Sequence, residues 1–338
     1  MHDVALIGAG RIGKIHATNV LAHPRLRLKY VIDPFTEARE AIAKSTGALS
    51  SSLEHALDDA DIKGVIVASS TDTHLDYSLR AIDAGKAVFC EKPVDLDLAR
   101  ARSAQAILGP TGVPLLVAFN RRFDPHFARL HARLISGEMG TLETLHIISH
   151  DPAPPPIEYV RASGGLFRDM TIHDFDMARW LLGEEPVEIY AAGACLVDHA
   201  IGEAGDIDTA KILLRTASGR ICVISNTRRS AYGYDQRIEA FCSKGLIRAD
   251  NVHETTVETW QEQGSSGAPI QSFFLERYAE AYRREIAHFA DLIDGSTQSL
   301  VGFNDGVAAL ALAEAAALSL KTGQPEQVQR GPVASSAA

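Results

Sequence analysis

The feature that most constrains the fold is a glycine-rich hexapeptide near the N-terminus, Gly8 to Gly13, with glycines at its first, third and sixth positions. It follows directly after the apolar run Val4 to Ile7, which is typical of a buried parallel strand, and a helical pattern begins within it. In this arrangement the first glycine allows a tight turn, the second lets the backbone approach a pyrophosphate, and the third lets the helix pack close to the strand. The motif therefore predicts a βαβ unit that binds a dinucleotide at the helix N-terminus.

An aspartate follows at the spacing that such a unit requires. The apolar run Leu28 to Ile32 predicts the second strand and ends at Asp33, 20 residues after Gly13. A carboxylate at this position accepts hydrogen bonds from the adenosine ribose and repels a 2′-phosphate. The sequence therefore predicts NAD rather than NADP. The other interpretation is a glycine turn followed by a surface aspartate.

Strand and helix patterns continue to alternate as far as Phe119, which is typical of a doubly wound parallel sheet. Ligands bind at the carboxyl ends of such strands. Glu91, Lys92 and Pro93 follow a strand at such a position, although a lysine is otherwise most often solvated. Pro93 also restricts Lys92 to extended geometry and can form a cis bond. The predicted cofactor contacts are Gly8, Gly10, Arg11, Ile12, Gly13, Asp33, Ser69, Thr71, His74, Glu91, Lys92 and Asn120.

Among these residues, His74 stands at the predicted start of a helix. We expect it to cap that helix or to stack on the cofactor rather than to act in catalysis.

A length of 338 residues favours two domains. The predicted domains are residues 1–120, which bind the dinucleotide, and residues 121–330, followed by a flexible tail, 331–338. From Val187 onward several strand patterns follow one another, the last of them at about Thr255 to Trp260, which favours a mostly antiparallel sheet, and two helices close the chain. The predicted fold class is α/β, with a doubly wound parallel sheet in the N-terminal domain and a C-terminal α+β domain built on a mostly antiparallel sheet.

The stretch from Gly164 to Leu182 combines a glycine pair with a predicted helix that is mostly apolar. Asp169 and His173 lie four residues apart in this helix, so their side chains share one face, and Asp176 continues the polar stripe. Polar groups on a buried helix need partners or a cavity. In the first interpretation His173 accepts a proton and Asp169 orients it. In the second the helix is capped or paired and His173 is a hydrogen-bonded core histidine.

Composition excludes several other classes of protein. The net charge of −10 argues against a nucleic-acid surface. No continuous run of about 18 apolar residues is present, so we expect no membrane span, and the alanine-rich stretch Val307 to Leu320 predicts a packed helix. The chain begins directly with a strand pattern, so we expect no signal peptide.

The four cysteines are scattered without a Cys-x-x-Cys pair, at positions 90, 195, 222 and 242. Each lies in or beside an apolar run. This favours buried thiols in a reducing cytoplasm over disulfides or a zinc site, and we expect no metal.

Several polar residues of the second part are candidate substrate contacts. His150 and Asp151 introduce a proline-rich loop that leads to the helix of His173. The sequence Tyr232-Gly233-Tyr234 is either a hairpin that presents an aromatic hydroxyl or a turn with exposed tyrosines.

With these motifs in one chain, the sequence resembles the glucose–fructose oxidoreductase/inositol dehydrogenase/rhizopine-catabolism family (Gfo/Idh/MocA), and within it the bacterial inositol dehydrogenase branch. The resemblance covers nearly the whole chain. The motifs that carry it are Gly8 to His16, Phe89 to Pro93, Asn120 to Asp124, Gly164 to Asp176 and Tyr232 to Arg237. The Glu-Lys-Pro and Asp/His motifs are shared widely in the family, so they indicate reaction class better than substrate.

The resemblance implies a Rossmann domain, a second domain with a large open sheet, and a homotetramer built through that sheet. It also implies that Lys92, Asp169 and His173 surround the substrate. The expected reaction is the NAD-dependent oxidation of one CHOH of a cyclic polyol to a ketone, from myo-inositol to 2-keto-myo-inositol. His173 is then the general base and Asp169 orients it, while Lys92 donates to the reacting oxygen. A polyol requires many polar contacts, and the predicted substrate contacts are Lys92, Arg122, His150, Asp151, Asp169, His173 and Tyr234.

Two other functions stay open at this point. One is the same chemistry on scyllo-inositol or a pyranose sugar, because epimers differ only in which hydroxyl is axial. The other is a non-catalytic dinucleotide-sensing regulator with the same fold, against which the presence of Lys92, Asp169 and His173 together argues.

Overall fold

The computed structural model describes residues 1–108 and 111–329, which form two compact units. Their bounds are residues 1–123 with 280–310 for the first unit, and residues 124–279 with the described residues from Ala311 onward for the second. Each unit has its own sheet.

The observed division differs from the predicted one in the later part of the chain. The predicted boundary after residue 120 lies close to the change of unit at Phe123, but residues 280–310 pack with the first unit instead of the second. The reason is an apolar contact, because the ring of Phe289 packs edge-on against Phe89 with ring centroids 5.8 Å apart. Such a long-range contact leaves no local signal in the sequence. The predicted tail, 331–338, lies outside the described residues.

A parallel six-stranded sheet forms the centre of the first unit, in the order β3-β2-β1-β4-β5-β6. Its strands are β1 (His2–Ile7), β2 (Leu26–Ile32), β3 (Leu49–Ser50), β4 (Ile62–Val67), β5 (Ala87–Cys90) and β6 (Leu115–Val117). The order runs in opposite directions on the two sides of β1 and β4, so their carboxyl ends form the switch point where such sheets bind ligands. This order confirms the predicted Rossmann fold.

Helices connect these strands, as a parallel sheet requires. They are α1 (Arg11–Ala22), α2 (Thr36–Thr46), α3 (Leu53–Asp58), α4 (His74–Asp83) and α5 (Leu98–Leu108), and the later helix α12 (Ala279–Ile293) packs with them.

The second unit contains a seven-stranded sheet in the order β12-β11-β7-β10-β9-β8-β15. Its strands are β7 (Leu142–His150), β8 (Pro186–Ala194), β9 (Thr209–Thr216), β10 (Ile221–Thr227), β11 (Asp235–Cys242), β12 (Gly245–Ala249) and β15 (Glu326–Gln327). All neighbours are antiparallel except β7 and β10, so the sheet is mixed. The predicted strand near Thr255 to Trp260 lies outside this sheet, in a separate ribbon of β13 (Glu258–Gln261) and β14 (Gly264–Gly267).

The helices of the second unit are α6 (Pro125–Ile135), α7 (Ile157–Ala162), α8 (Leu166–Asp169), α9 (Thr171–Leu182), α10 (His199–Glu203) and α11 (Phe274–Arg277). The helix predicted between the glycine pair and Leu182 is therefore two helices, α8 and α9, separated at Met170. Helix α9 packs on one face of the large sheet, where the Asn226 amide of β10 donates to Asp174 Oδ2 at 2.8 Å. We call the opposite face of this sheet the outer face.

The last helix is α13 (Phe303–Thr322). Among the described residues it is the one helix whose length and composition would allow it to cross a membrane. In its most apolar window, 61% of the residues are buried in the protein. A mostly buried core helix of a globular protein passes the same test. The sequence-based prediction of a packed helix over Val307 to Leu320 agrees with this burial.

Candidate functional site

The glycine loop between β1 and α1 is held tightly against the neighbouring strand. Gly8 has a φ of +103°, and a Cβ on it would lie 2.2 Å from the carbonyl oxygen of Ala68. A Cβ on Gly13 would lie 2.0 Å from the carbonyl oxygen of Gly8, so α1 packs directly on the loop. A Cβ on Gly10, in contrast, would meet no described atom within 4 Å. The backbone at Gly10 is therefore open to a ligand in front of the N-terminus of α1, as a pyrophosphate site requires.

Asp33 stands at the end of β2 beside this loop. Its Oδ2 accepts a hydrogen bond from the main-chain N–H of Ala9 at 2.6 Å, and its Oδ1 accepts one from Phe35 at 2.7 Å. Each carboxylate oxygen has a further lone pair, so Asp33 can hold the loop and still accept from ribose hydroxyls.

Two further predicted cofactor contacts lie at the carboxyl ends of the strands. Asn120 follows β6, is 4% exposed, and its Oδ1 has no hydrogen-bond partner among the described residues. A buried amide oxygen of this kind suits a ligand donor. Ser69 follows β4, and its hydroxyl lies 2.7 Å from that of Thr73 in a short turn that also contains Thr71. These residues fit a dinucleotide, and Arg11 and Ile12 begin α1 at the same edge.

His74 is the first residue of α4, as predicted, but it does not cap this helix, because the N-cap is Thr73. Its ring is 3% exposed, with Nδ1 2.8 Å from the Pro93 carbonyl oxygen and Nε2 3.1 Å from that of Ser69. The ring therefore connects two main-chain segments, and its stacking on the cofactor stays a prediction.

The Glu91 carboxylate holds the main chain at Lys92. Its Oε2 accepts from the Lys92 main-chain N–H at 3.2 Å, and its Oε1 lies 2.7 Å from Nε2 of His16, which is fully buried. The peptide bond between Lys92 and Pro93 is cis. Glu91 is thus bound to neighbouring protein groups, and its contact with the cofactor stays a prediction.

In the second unit, Asp169 is the last residue of α8 and its carboxylate is held at both oxygens. Oδ1 accepts a hydrogen bond from the Tyr159 hydroxyl at 2.8 Å, and Oδ2 accepts one from Nη2 of Arg228 at 3.1 Å. Arg228 also brings Asp151 to this cluster, with Nη1 4.0 Å from Asp151 Oδ2. Two predicted site residues, Asp151 and Asp169, therefore share one guanidinium.

Sequence reasoning missed Arg228 and Tyr159. Arg228 follows directly after β10, and a polar residue at a strand end is a signal for a site, so this criterion could have found it. Tyr159 lies on the short helix α7, which begins after the proline-rich loop, and no local signal marked it.

His173 lies in the first turn of α9, and this turn is attached to β10 by side chains. The Thr171 hydroxyl donates to the Asn226 side-chain oxygen at 2.7 Å, and the Asn226 amide donates to Asp174. The His173 main-chain N–H bonds to the Met170 carbonyl oxygen at 3.3 Å across the junction of α8 and α9. These contacts fix the backbone that carries His173. The other member of the predicted stripe, Asp176, is 1% exposed and lies 3.7 Å from Arg179.

His150 lies on the outer face of the large sheet. Its Nε2 is 3.0 Å from the Ser225 hydroxyl, and its Nδ1 is 3.6 Å from Asp235 Oδ2. Burial lowers the pKa of His150. Although burial alone would raise the pKa of Asp235, hydrogen bonds from Arg237, Tyr232 and Asn251 bring it down to about 2. The sheet thus separates His150 from α9, and its contact with substrate stays a prediction.

The last two predicted substrate contacts, Arg122 and Tyr234, interact with other residues of their own units. The Arg122 guanidinium, 6% exposed, donates to the Leu300 carbonyl oxygen at 3.0 Å and to Asp305 Oδ1 at 2.9 Å. The ring of Tyr234 is buried and packs edge-on against Tyr278, whereas its neighbour Tyr232 is exposed. A substrate contact of Arg122 or Tyr234 stays a prediction.

Within residues 1–108 and 111–329, no group of three or more His, Cys, Asp or Glu side chains is placed to hold a metal ion.

A parallel sheet with this glycine loop and Asp33 defines a dinucleotide-binding oxidoreductase. Two family models match the chain: the oxidoreductase family with an NAD-binding Rossmann fold over residues 2–119, and the GFO/IDH/MocA C-terminal domain over residues 127–248. The chain belongs to the GFO/IDH/MocA family. This confirms the predicted family, the oxidoreductase class and NAD as the cofactor.

Known proteins of this family are similar along nearly the whole chain. Inositol 2-dehydrogenase of Rhizobium meliloti is 48% identical over 315 residues, which are 93% of this chain and 96% of that protein. Myo-inositol 2-dehydrogenase of Thermotoga maritima is 44% identical over 94% of this chain and 96% of its own. The crystal structure of a myo-inositol dehydrogenase from Corynebacterium glutamicum matches with a TM-score of 0.93 and 43% identity, covering 98% of this chain and 99% of that one.

Proposed function

We propose that the protein is an NAD-dependent dehydrogenase that oxidises one CHOH group of a cyclic polyol to a ketone, with myo-inositol as substrate and 2-keto-myo-inositol (scyllo-inosose) as product, in inositol catabolism. The observation that carries the proposal is the Asp169 carboxylate, which is fixed at both oxygens four residues before His173. The similarity to two inositol 2-dehydrogenases over more than nine-tenths of the chain supports the choice of substrate.

In this mechanism His173 takes the hydroxyl proton as general base, since a neutral imidazole can accept a proton near pH 7. Asp169 holds the imidazole in one tautomer and stabilises its charged form. Lys92 donates to the same substrate oxygen and offsets the alkoxide character that develops there. The nicotinamide, when bound, supplies the hydride acceptor.

A polyol requires many polar contacts, and we propose Arg122, His150, Asp151 and Tyr234 for them. Asp151 has the most direct support, because it shares Arg228 with Asp169. Arg122, His150 and Tyr234 are bound to other protein groups or buried in their units, so each needs its own substitution test.

The experiment is steady-state kinetics of the purified protein with NAD and a panel of myo-inositol, scyllo-inositol and pyranose sugars, with the product identified by mass spectrometry. We expect the highest kcat/KM for myo-inositol. A higher value for scyllo-inositol or a sugar would keep the reaction class and change the substrate. Tight NAD binding without turnover of any polyol would instead support the non-catalytic regulator.

We further propose a homotetramer built through the outer face of the large sheet. Tyr190, Leu213 and Ile221 are 39%, 44% and 38% exposed on this face, and Tyr190 pairs directly with Leu213 on the neighbouring strand. Together with Pro325 and the ion pair of Arg215 and Glu188 they line a groove on this face. Exposed apolar patches of this kind mark association surfaces, and a second copy of this chain is the occupant that closed symmetry favours.

We propose that the protein works in the cytoplasm. All four cysteines are free, and those at positions 90, 222 and 242 are buried. Burial raises the pKa of the Cys90 thiol to about 12, so this thiol stays protonated and unreactive. Fractionation of the source cells with detection of the protein would test this location.

A further inference from the structure

The main chain around Arg228 is fixed without its side chain. The Arg228 main-chain N–H donates to the Asp208 carbonyl oxygen at 2.9 Å, and the Asp151 N–H donates to the Thr227 carbonyl oxygen at 2.9 Å. These bonds continue the pairing of β10 with its neighbours on both sides. The guanidinium is therefore not needed to hold the main chain at the end of β10, and its contacts with carboxylates require another explanation.

The guanidinium and the carboxylate that it binds are both removed from water. The Arg228 side chain is 2% exposed and that of Asp169 is 11% exposed. An arginine does not lose its proton in a protein, so a buried guanidinium requires anionic partners. Conversely, a positive charge 3.1 Å away favours the ionised form of Asp169.

The two donors also determine the orientation of the Asp169 carboxylate. Tyr159 holds Oδ1 and Arg228 holds Oδ2, so rotation of the carboxylate would break one or both bonds. With Asp151 at 4.0 Å, the cluster contains two carboxylates and one guanidinium, a net charge of −1 when both acids are ionised. A net negative cluster stabilises a positive charge that forms nearby.

We propose that Arg228 is a positioning residue of the reaction: it aims the Asp169 carboxylate, so that Asp169 can orient His173 and stabilise its protonated form. This inference rests on the proposed function, in which Asp169 and His173 act as a unit. Tyr159 assists at the other carboxylate oxygen.

The test is a double-mutant cycle of Arg228→Met and Asp169→Asn, with kcat, the two KM values and folding measured for each variant. In the wild-type background we expect Arg228→Met to lower kcat by about 10²-fold, the cost of a small misplacement of a reacting group. The KM for NAD should not change, since the cofactor residues lie in the other unit. In the Asp169→Asn background, Arg228→Met should cost little more, because its effect passes through Asp169.

The exposed neighbour Arg229 provides the matched control, and Arg229→Met should keep wild-type kcat. If Arg228→Met does not fold, Arg228→Lys replaces it. Lysine keeps the charge without the planar fork, so kcat should fall while the protein stays folded. In Arg228→Ala, added guanidinium ion at millimolar concentration should restore part of kcat.

Two results would overturn the inference. One is a folded Arg228→Met protein with wild-type kcat. The other is an equal loss of kcat in the wild-type and Asp169→Asn backgrounds, which is expected of a purely structural arginine. His173→Ala, measured in parallel, separates this inference from the proposed function. Wild-type turnover of His173→Ala would reject the base assignment itself, whereas a large loss there with none in Arg228→Met would reject only the role of Arg228.

Discussion

The carboxylate Oδ2 of Asp33 lies 2.6 Å from the main-chain nitrogen of Ala9, inside the glycine loop. The carboxylate that is predicted to bind the ribose hydroxyls thus also holds the loop that is predicted to bind the pyrophosphate. We therefore expect changes at Asp33 to affect cofactor affinity as well as cofactor choice.

We expect Asp33→Asn to relax the preference for NAD. The substitution removes the charge that repels a 2′-phosphate but keeps an oxygen that can accept from a main-chain N–H. The ratio of kcat/KM for NAD to that for NADP should fall by about tenfold, which corresponds to about 1.4 kcal/mol. Asp33→Ala should weaken both cofactors further, because it removes the acceptor for Ala9. Equal wild-type kcat/KM values for the two cofactors would contradict the assignment.

We expect His173→Ala to lower kcat by about 10²- to 10⁴-fold, which is the usual contribution of positioned proton transfer. The affinity for NAD should change little. In the wild type, kcat/KM should rise with pH as a histidine base loses its proton, and His173→Ala should lack this limb. A variant that folds normally and keeps wild-type turnover and pH dependence would make Lys92 the leading base.

Lys92→Ala should also lower kcat by about 10²- to 10⁴-fold, because the substrate oxygen loses its donor. Together with His173→Ala the losses should not multiply, since the residues act on one proton transfer. The exposed lysine Lys63, with Lys63→Ala, provides the control. Fully multiplicative losses would indicate that Lys92 and His173 act separately.

Glu285 makes the stability of the first unit depend on pH. It is fully buried on α12, and burial together with the negative charge of Glu91 raises its pKa well above the ordinary value of 4.5. Above about pH 4.5 the unfolded chain releases the Glu285 proton, whereas the folded protein still holds it. The free energy of unfolding therefore falls progressively as the pH rises from 4.5 toward the pKa that Glu285 has in the folded protein.

Glu285→Gln should remove this dependence, because the amide resembles the protonated acid in shape and cannot ionise. The Tm of Glu285→Gln minus that of wild type should therefore increase as the pH rises from 5 to 8. Glu280→Gln, on the exposed side of the same helix, provides the control and should not show this increase. A constant difference in Tm between wild type and Glu285→Gln across this range would contradict the prediction.

The proposed tetramer predicts a mass of about four times 36.4 kDa by light scattering at micromolar concentration. Leu213→Asp should produce smaller species, because it places a charge in the middle of an apolar surface. Leu21→Asp, at an exposed position on α1, should leave the mass unchanged. A wild-type monomer at this concentration would refute the proposal.

Local patterns were sufficient to predict the parallel sheet of the first unit and its cofactor. The glycine spacing, the apolar run before it and Asp33 are set by short-range geometry, since a strand, a tight turn and a helix must follow one another within a few residues. For the same reason the Lys92-Pro93 segment is recognisable from the order of the residues alone. Asp169 and His173 were predicted on one helix, whereas the structure places Asp169 at the end of α8 and His173 in the first turn of α9.

What the sequence by itself determined is therefore the dinucleotide loop and the NAD cofactor, and it also led to the hypothesis that Lys92, Asp169 and His173 act together. The tertiary structure decided which groups surround these residues. In the folded protein, residues 280–310 belong to the first unit and His150 lies on the outer face of the sheet. Arg228 and Tyr159 bind the two carboxylate oxygens of Asp169. Arg228 is 59 residues from Asp169 in the chain. Strand pairing and burial join them, and contacts at such separation leave no periodic signal, because a sequence pattern reports the neighbours along an element and not the elements packed against it.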